Sequence, residues 1–284
     1  MRVLIIQENG HHKANRNFRE CFSLRRAFKH YDHEADVWGN LHDNHNIIPD
    51  FNSYDIIINL ENYSLGWIPD LSKVTNPYKI IWSIDAHCRG VQVYEDMFTN
   101  GKYDLLLHST RDFVKGKHTA WFPNSYDDDL IGKNDNTSKD HFIGFCGNYV
   151  NRKTLIDKLE KEFGIKKDIF VIGQDMVDAV NSYQIHFNKN ISNDINYRSF
   201  ETIGCGTLLC TNYNYQYEKL GFENLKNCIM YKSADELTNQ LKLLKENPSL
   251  IEEISLNGLE LAKSHTYKVR VGSLLKFLEI NNLI

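Results

Sequence analysis

Asn193-Asp194-Ile195-Asn196-Tyr197-Arg198-Ser199-Phe200-Glu201-Thr202-Ile203-Gly204-Cys205-Gly206-Thr207-Leu208-Leu209-Cys210-Thr211 reads as a helix that turns directly into a strand. Asp194 or Asn196 can cap the helix, and Phe200 and Ile203 fall on one apolar face. The Gly204–Gly206 segment stops it before the apolar run Thr207 to Thr211. Arg198 and Glu201 lie three apart, so they project together from the face opposite Phe200. A carboxylate there suits the two hydroxyls of a ribose, and a guanidinium suits a phosphate or holds the carboxylate ionised. The competing reading is a solvated salt bridge on an amphipathic helix.

Upstream, Phe142 to Cys146 reads as a strand ending at Gly147-Asn148-Tyr149, and Asn151-Arg152-Lys153 opens a helix running to about Phe163. Backbone N–H groups at a helix start, with Arg152 and Lys153, make a candidate diphosphate site. A further strand is expected at Ile169 to Gly173, with Gly173 near a nucleotide base, and an apolar run at Ile185 to Phe187. Downstream, Lys232 to Glu246 and Ser249 to Lys263 read as amphipathic helices separated at Pro248, and a terminal helix starts near His265-Thr266-Tyr267-x-x-Arg270.

The first half opens with a strand around Val3 to Ile6, a polar loop Glu8 to Lys13, and a helix from about Asn15 to His30. Strand-like runs recur at Glu34 to Trp38, Asp55 to Leu60, Lys79 to Ile84, Leu105 to His108 and Thr119 to Phe122. They are apolar rather than alternating, as parallel strands covered on both faces are. The class is α/β. No G-x-G-x-x-G follows the first strand, which removes the main support for a dehydrogenase.

Between Gly10 and His30 six basic residues, Lys13, Arg16, Arg19, Arg25, Arg26 and Lys29, face Glu20 alone. A solvated helix face is one account; an electropositive wall holding phosphates of a donor or of a nucleic-acid acceptor is the other. On the second account His11, His12, Lys13 and Arg16 are candidate acceptor-binding residues. The strand near Lys79 to Ile84 runs into Asp85-Ala86-His87, and open α/β sheets bind ligands beyond the carboxyl ends of their strands. If the strand continued, Asp85 and His87 would share one side, the carboxylate orienting the imidazole. Asp85 is the candidate general base and His87 its substitute. The alternative is a loop aspartate capping the helix near Val91.

The 284 residues suffice for two domains of roughly 140 each. With 42% apolar residues, both cores can be filled. Net charge is −4, so no global field draws the chain to nucleic acid or membrane, and any polyanion needs a local patch. Six cysteines without a C-x-x-C pair read as reduced core residues, and no apolar run approaches a membrane span. With a strand starting at Arg2, these features give the expectation of a soluble, unexported, cytoplasmic protein. Asp127-Asp128-Asp129 reads as a solvated turn followed by an interdomain linker, Gly132 to Asp140, and His42 and His45 lack convincing partners. No metal site and no cofactor are therefore expected.

The order N-x-R-x-F-E-x-x-x-C-G before an apolar strand resembles the nucleotide-binding signature in the second domain of GT-B glycosyltransferases. It is more closely similar to the group-1 branch that includes the CgeB-like spore-maturation proteins. The Asp85-Ala86-His87 stretch, Trp121-Phe122-Pro123-Asn124-Ser125 and the H-T-Y-x-x-R segment resemble the same family. The resemblance implies two Rossmann-like domains facing each other across a cleft: 1–138 for the acceptor, 139–264 for the nucleotide sugar, and 265–284 as a C-terminal helix crossing back. It implies that Glu201 grips the donor ribose, and that a basic residue after the first strand of the second domain neutralises the leaving diphosphate. Many relatives carry another glutamate eight residues before the one that matches Glu201; that position is Asn193 here. The donor-binding set is then Gly147, Arg152, Lys153, Gly173, Arg198 and Glu201. The expected reaction is metal-independent transfer of a sugar from a nucleoside diphosphate, UDP among them, to an acceptor hydroxyl. The basic first helix and an AT-rich style of composition suit a hydroxymethylated pyrimidine in phage DNA. A cell-surface glycan or small-molecule acceptor, or a non-catalytic nucleotide-binding protein of the same fold, is also compatible.

Overall fold

The apolar runs bounded by polar loops become parallel strands, as runs buried on both faces do. The computed structural model describes all 284 residues, which divide into Met1–Asn124 with Tyr267–Ile284, and Ser125–Thr266.

In the first unit β1 (Arg2–Ile6), β2 (Glu34–Trp38), β3 (Ile56–Leu60), β4 (Tyr78–Ser83), β5 (Leu105–His108) and β6 (Thr119–Trp121) form one parallel sheet in the order β2-β1-β3-β4-β5-β6. The order reverses between β1 and β3, which makes their carboxyl ends the switch point. The expected helix from Asn15 is shorter. A 3₁₀ turn, Lys13–Phe18, and extended backbone at Arg19 precede α1 (Glu20–His30). The Gln7 amide explains the break, because its Oε1 accepts the Cys21 N–H at 3.0 Å while its Nε2 donates to Glu20 Oε2 at 2.8 Å. A strand-end side chain thus caps the first turn. After β4 come α2 (Ala86–Arg89) and α3 (Val91–Asn100), and the last helix, α10 (Tyr267–Ile280), packs on α1. Gly272 permits that approach: a Cβ there would strike the Tyr31 hydroxyl, which donates to the Lys268 carbonyl at 3.1 Å.

In the second unit β7 (His141–Gly147), β8 (Lys166–Ile169), β9 (Tyr183–Phe187), β10 (Leu208–Asn212) and β11 (Ile229–Tyr231) form a parallel sheet in the order β11-β10-β9-β7-β8. Its switch point lies between β7 and β9. Around it run α4 (Lys153–Phe163), α5 (Gln174–Asn181), α6 (Tyr197–Gly204), α7 (Tyr215–Lys219), α8 (Ala234–Glu246) and α9 (Pro248–Ala262). The strand expected at Ile169 to Gly173 lies earlier. It ends at Ile169 because Phe170 and Gly173 adopt positive φ, 57° and 64°.

The units divide at Asn124 and Ser125 rather than at 138, and the run to Asp140 is part of the second unit. Asn134 N–H donates to Asn181 Oδ1 at 2.9 Å, Asn181 Nδ2 donates to the Gly132 carbonyl at 3.1 Å, and Tyr126 bridges to Thr266. Asp127 is buried, and its Oδ1 accepts the Asp129 N–H at 3.1 Å, so the aspartate triplet forms a turn that is only partly solvated. No helix is long and apolar enough to cross a membrane.

Candidate functional site

The second unit gathers cations at its switch point. After β7, Asn148 Oδ1 accepts the Val150 N–H at 2.9 Å and Asn151 takes φ 64°, a tight turn that delivers Arg152 to the start of α4. Arg152 Nε donates to the Lys189 carbonyl at 2.9 Å and Nη1 to the Asn148 carbonyl at 3.0 Å. The side chain therefore ties the loop after β7 to the loop after β9. Burial first, and the nearby Arg198 charge, pull Arg152 below its ordinary value. Lys153 is different: it is exposed, ion-paired with Asp157 on the next turn and lies over the Tyr149 ring. Its charge is already partnered on the helix surface, so the two basic residues of this turn do not act alike.

Arg198 and Glu201 meet on α6 as their spacing requires, with Nη1 2.7 Å from Oε2. The side chains are only 20% and 15% exposed, so the pair is not the solvated surface bridge that the spacing also allowed. A relay from the sheet fixes it. Cys146 N–H donates to His186 Nε2 at 3.2 Å, leaving Nδ1 to donate to Thr202 Oγ1 at 2.6 Å, and Thr202 Oγ1 donates to the Arg198 carbonyl at 2.5 Å. Burial and the Arg198 charge hold the imidazole well below its ordinary value, so it is neutral, as this tautomer needs. Gly147 ends β7, and Gly173, just before α5, takes φ 64° and ψ −138°, a conformation that glycine adopts readily.

Beneath α6 lies an amide network absent from the sequence reading. Asn188 Nδ2 donates to Asn196 Oδ1 at 3.0 Å and Ser199 Oγ at 3.1 Å, Asn190 Nδ2 donates to the Tyr217 hydroxyl at 2.8 Å, and Asn190 Oδ1 accepts the Asn196 N–H at 3.2 Å. Asn196 caps α6 by position, but its side chain serves this network instead of the helix. Satisfied buried networks hold one geometry. Asn193, at the position where the family pattern has a glutamate, offers its carbonyl to Asn214 Nδ2 at 2.7 Å and Gln216 Nε2 at 2.5 Å. The signal was available, since Asn188 and Asn190 follow an apolar strand directly.

In the first unit β4 ends at Ser83, so Asp85 and His87 do not alternate along a strand; His87 sits on the short helix α2 and Asp85 just before it, their ligand atoms within 4.8 Å of each other. Asp85 stands at the helix start, yet its side chain makes no capping bond. Glu61, just beyond β3, accepts the N–H groups of Asp85 at 2.6 Å and Ile84 at 3.0 Å and pairs with Arg89 at 2.9 Å. Desolvation first, then the charges of Glu61 and Glu20, push the Asp85 carboxyl up to about 6. Burial lowers His87, whose Nδ1 is buried without a hydrogen-bond partner. Burial thus shifts the two groups in opposite directions, the carboxyl up and the imidazole down, a pattern that suits proton transfer. At the switch point Glu8 Oε1 accepts the Tyr63 N–H at 2.6 Å, and Asn62 Oδ1 accepts the Glu8 N–H at 2.6 Å. His11, His12 and Lys13 are exposed beside them, and Arg16 Nε donates to the Gly10 carbonyl at 3.2 Å.

A protein-family profile described as glycosyl transferase-like matches residues 143–276, a span that contains Arg152, Arg198 and Glu201. No curated protein matches the sequence. Among solved structures, HepE of Anabaena in complex with UDP and glucose superposes with a TM-score of 0.66 at 13% identity, covering 98% of this chain and 100% of that one. An alpha-glucosyltransferase in complex with UDP-glucose and DNA containing an abasic site gives 0.72 at 9% identity, covering 98% and 99%. Sucrose-phosphate synthase from Thermosynechococcus elongatus gives 0.60 at 12%, covering 99% of each chain. The fold is that of GT-B glycosyltransferases. Its two parallel sheets, of six and five strands, are the ones described above.

Proposed function

We propose that the protein is a glycosyltransferase that moves a sugar from a nucleoside diphosphate sugar, with UDP the first nucleotide to test, to an acceptor hydroxyl. The observation that carries this reading is the half-sequestered Arg198–Glu201 pair beside Arg152 at the switch point of the second unit. Two guanidiniums close enough to perturb one another repel, and a diphosphate between them relieves that repulsion. Glu201 accepts from the ribose hydroxyls. Arg152 and Arg198 stabilise the negative charge that grows on the diphosphate oxygen as its bond to the anomeric carbon breaks. The acceptor oxygen forms the new bond and its proton passes to Asp85, with His87 as the alternative base. Lys153, turned to Asp157, takes a lesser part.

For the acceptor we favour a hydroxymethylated pyrimidine in DNA, supported by the basic segment of the first unit and by the likeness to the alpha-glucosyltransferase solved with DNA. A CgeB-like affiliation is supported by R-x-F-E at Arg198 to Glu201. Titrating UDP and GDP by calorimetry, then measuring nucleotide release from the matching sugar donors with and without hydroxymethylated DNA, tests the reading. Binding of neither nucleotide rejects it; binding without any release leaves a nucleotide-binding protein.

A further inference from the structure

Tyr63 follows the switch point of the first sheet and keeps 66% of its surface exposed. Its backbone is nevertheless fixed: the N–H is held by the buried Glu8 carboxylate, and the preceding Asn62 is buried, donating to the Leu60 carbonyl at 2.7 Å. The ring is framed by polar neighbours. The His11 ring meets it edge-on with centroids 5.5 Å apart, and the Arg19 guanidinium lies 5.9 Å from its centroid. Arg19 also pairs with Glu20 at 3.4 Å, so part of its charge is compensated locally. The exposed Lys13 and the half-exposed Arg16 stand on the adjoining 3₁₀ turn.

An exposed aromatic on a pinned backbone, with one guanidinium over a face of its ring and further cations close by, is the composition that binds a base on the ring's other face while the charges hold the phosphates. We propose that Tyr63 and His11 form a stacking platform for an unpaired nucleobase of a DNA acceptor, with Lys13, Arg16 and Arg19 on its flanking phosphates. The proposal rests on the functional reading only for the word acceptor, because the platform binds DNA with or without a sugar donor. A base inside a duplex hides its faces, so the platform takes single-stranded DNA or a base turned out of the stack.

The test uses the full chain and a fluorescent single-stranded DNA of about 12 nucleotides, the scale of such sites. Its affinity is compared with that of a duplex of the same sequence and of inorganic polyphosphate. Tyr63→Ala should weaken single-strand binding on the order of 5- to 100-fold, the range of one base stacked on one ring. Tyr63→Trp should retain it, and UDP affinity and melting temperature should not move in either variant. Lys13→Ala should weaken binding to all sequences alike and flatten its salt dependence. Equal single-strand affinity in Tyr63→Ala and the unmodified protein overturns the platform, as does polyphosphate binding as tightly as DNA. Loss of UDP binding in the unmodified protein strikes the glycosyltransferase reading instead and leaves the DNA result standing.

Discussion

Glu61 holds Asp85 by the backbone while pressing on its side chain: Oε2 accepts the Asp85 N–H at 2.6 Å, and the Glu61 charge helps lift the Asp85 carboxyl to about 6. A base must be ionised to act, so turnover should fall as pH drops through about 6. Glu61→Gln keeps the backbone acceptor and removes the charge, so the acid limb should move to lower pH. The stability consequence has the opposite sense. Since the folded value lies above the ordinary 3.8, the folded state binds the extra proton between about 4 and 6, and stability falls as pH rises through that window. Asp85→Asn should therefore raise the melting temperature at pH 8 more than at pH 4, while lowering turnover on the order of 10²–10⁴-fold. A pH–rate profile unchanged in Glu61→Gln rejects this coupling.

Glu201→Gln tests the proposed ribose contact with less collateral damage than Glu201→Ala, because the amide keeps the shape beside Arg198. Hydrogen bonds to charged groups contribute about 1.5–3 kcal/mol, so affinity for UDP should fall roughly 10- to 150-fold. The variant leaves the partly buried Arg198 guanidinium without its counter-charge, and some loss of melting temperature is expected as well. Calorimetry on the folded variant separates the two effects. Unaltered UDP affinity would remove Glu201 from the site.

The legible part of this structure follows from burial. Strands such as Leu105–His108, apolar throughout, declare themselves, and the glycine at Gly206, with φ 62°, ends its helix where the sequence puts it. What was not legible depends on groups distant in sequence. The break before α1 is made by Gln7, thirteen residues upstream of Glu20. Strand β8 carries Lys166, Lys167 and Asp168, because an edge strand has no need of a continuous apolar run. In the site, the Arg198–Glu201 pair could be read from spacing alone, and Asn188 and Asn190 from their place at a strand end, whereas their partners and the His186 relay could not. Glu8, Glu61 and Tyr63 follow the ends of β1 and β3, so the strand-end rule marks them just as it marks Asp85 after β4.

Two buried histidines predict acid sensitivity. His108 is pushed by burial to about 4 and His186 well below its ordinary value. The unfolded chain takes up protons at these sites below about 6.5, where the folded state does not, so both contribute stability that is lost as pH falls from that point. Asp85 acts in the opposite direction over the lower part of this range. Melting temperature should therefore drop between pH 7 and pH 5, and His108→Leu, which removes a buried imidazole whose Nδ1 lacks a partner, should make the drop smaller. An equal drop in the variant rejects the assignment.

Gly144 on β7 sits against the Tyr183 ring on β9, and a Cβ there would overlap three ring atoms. The ring cannot swing away cheaply, since its hydroxyl donates to Asp168 and the residue is fully buried. Gly144→Ala should cost about 1–3 kcal/mol in unfolding by urea, with nucleotide affinity reduced because β7 and β9 flank the switch point. Gly164→Ala offers open space for the new methyl but a φ of 67°, so any loss there reports backbone strain alone. Comparable affinity losses in both variants would show that the switch-point geometry is not what Gly144 protects.

On the proposed reading, the charge on the leaving diphosphate is met by Arg152 and Arg198. Arg152 donates through Nε to the Lys189 carbonyl and through Nη1 to the Asn148 carbonyl, and these two bonds fix the direction of its guanidinium. Arg152→Lys keeps a positive charge but cannot make both bonds, so it should lower kcat with a smaller change in donor affinity. Arg152→Ala should cost on the order of 10²–10³-fold in kcat, the scale for a group that stabilises developing negative charge. If Arg152 and Arg198 supply that charge, activity should survive EDTA. Turnover lost to EDTA and restored by manganese would instead place a metal on the diphosphate, and Asp127→Asn and Asp129→Asn would show whether those carboxylates hold it. The two outcomes are exclusive, because a metal already neutralising the diphosphate leaves Arg152→Ala with little charge to remove.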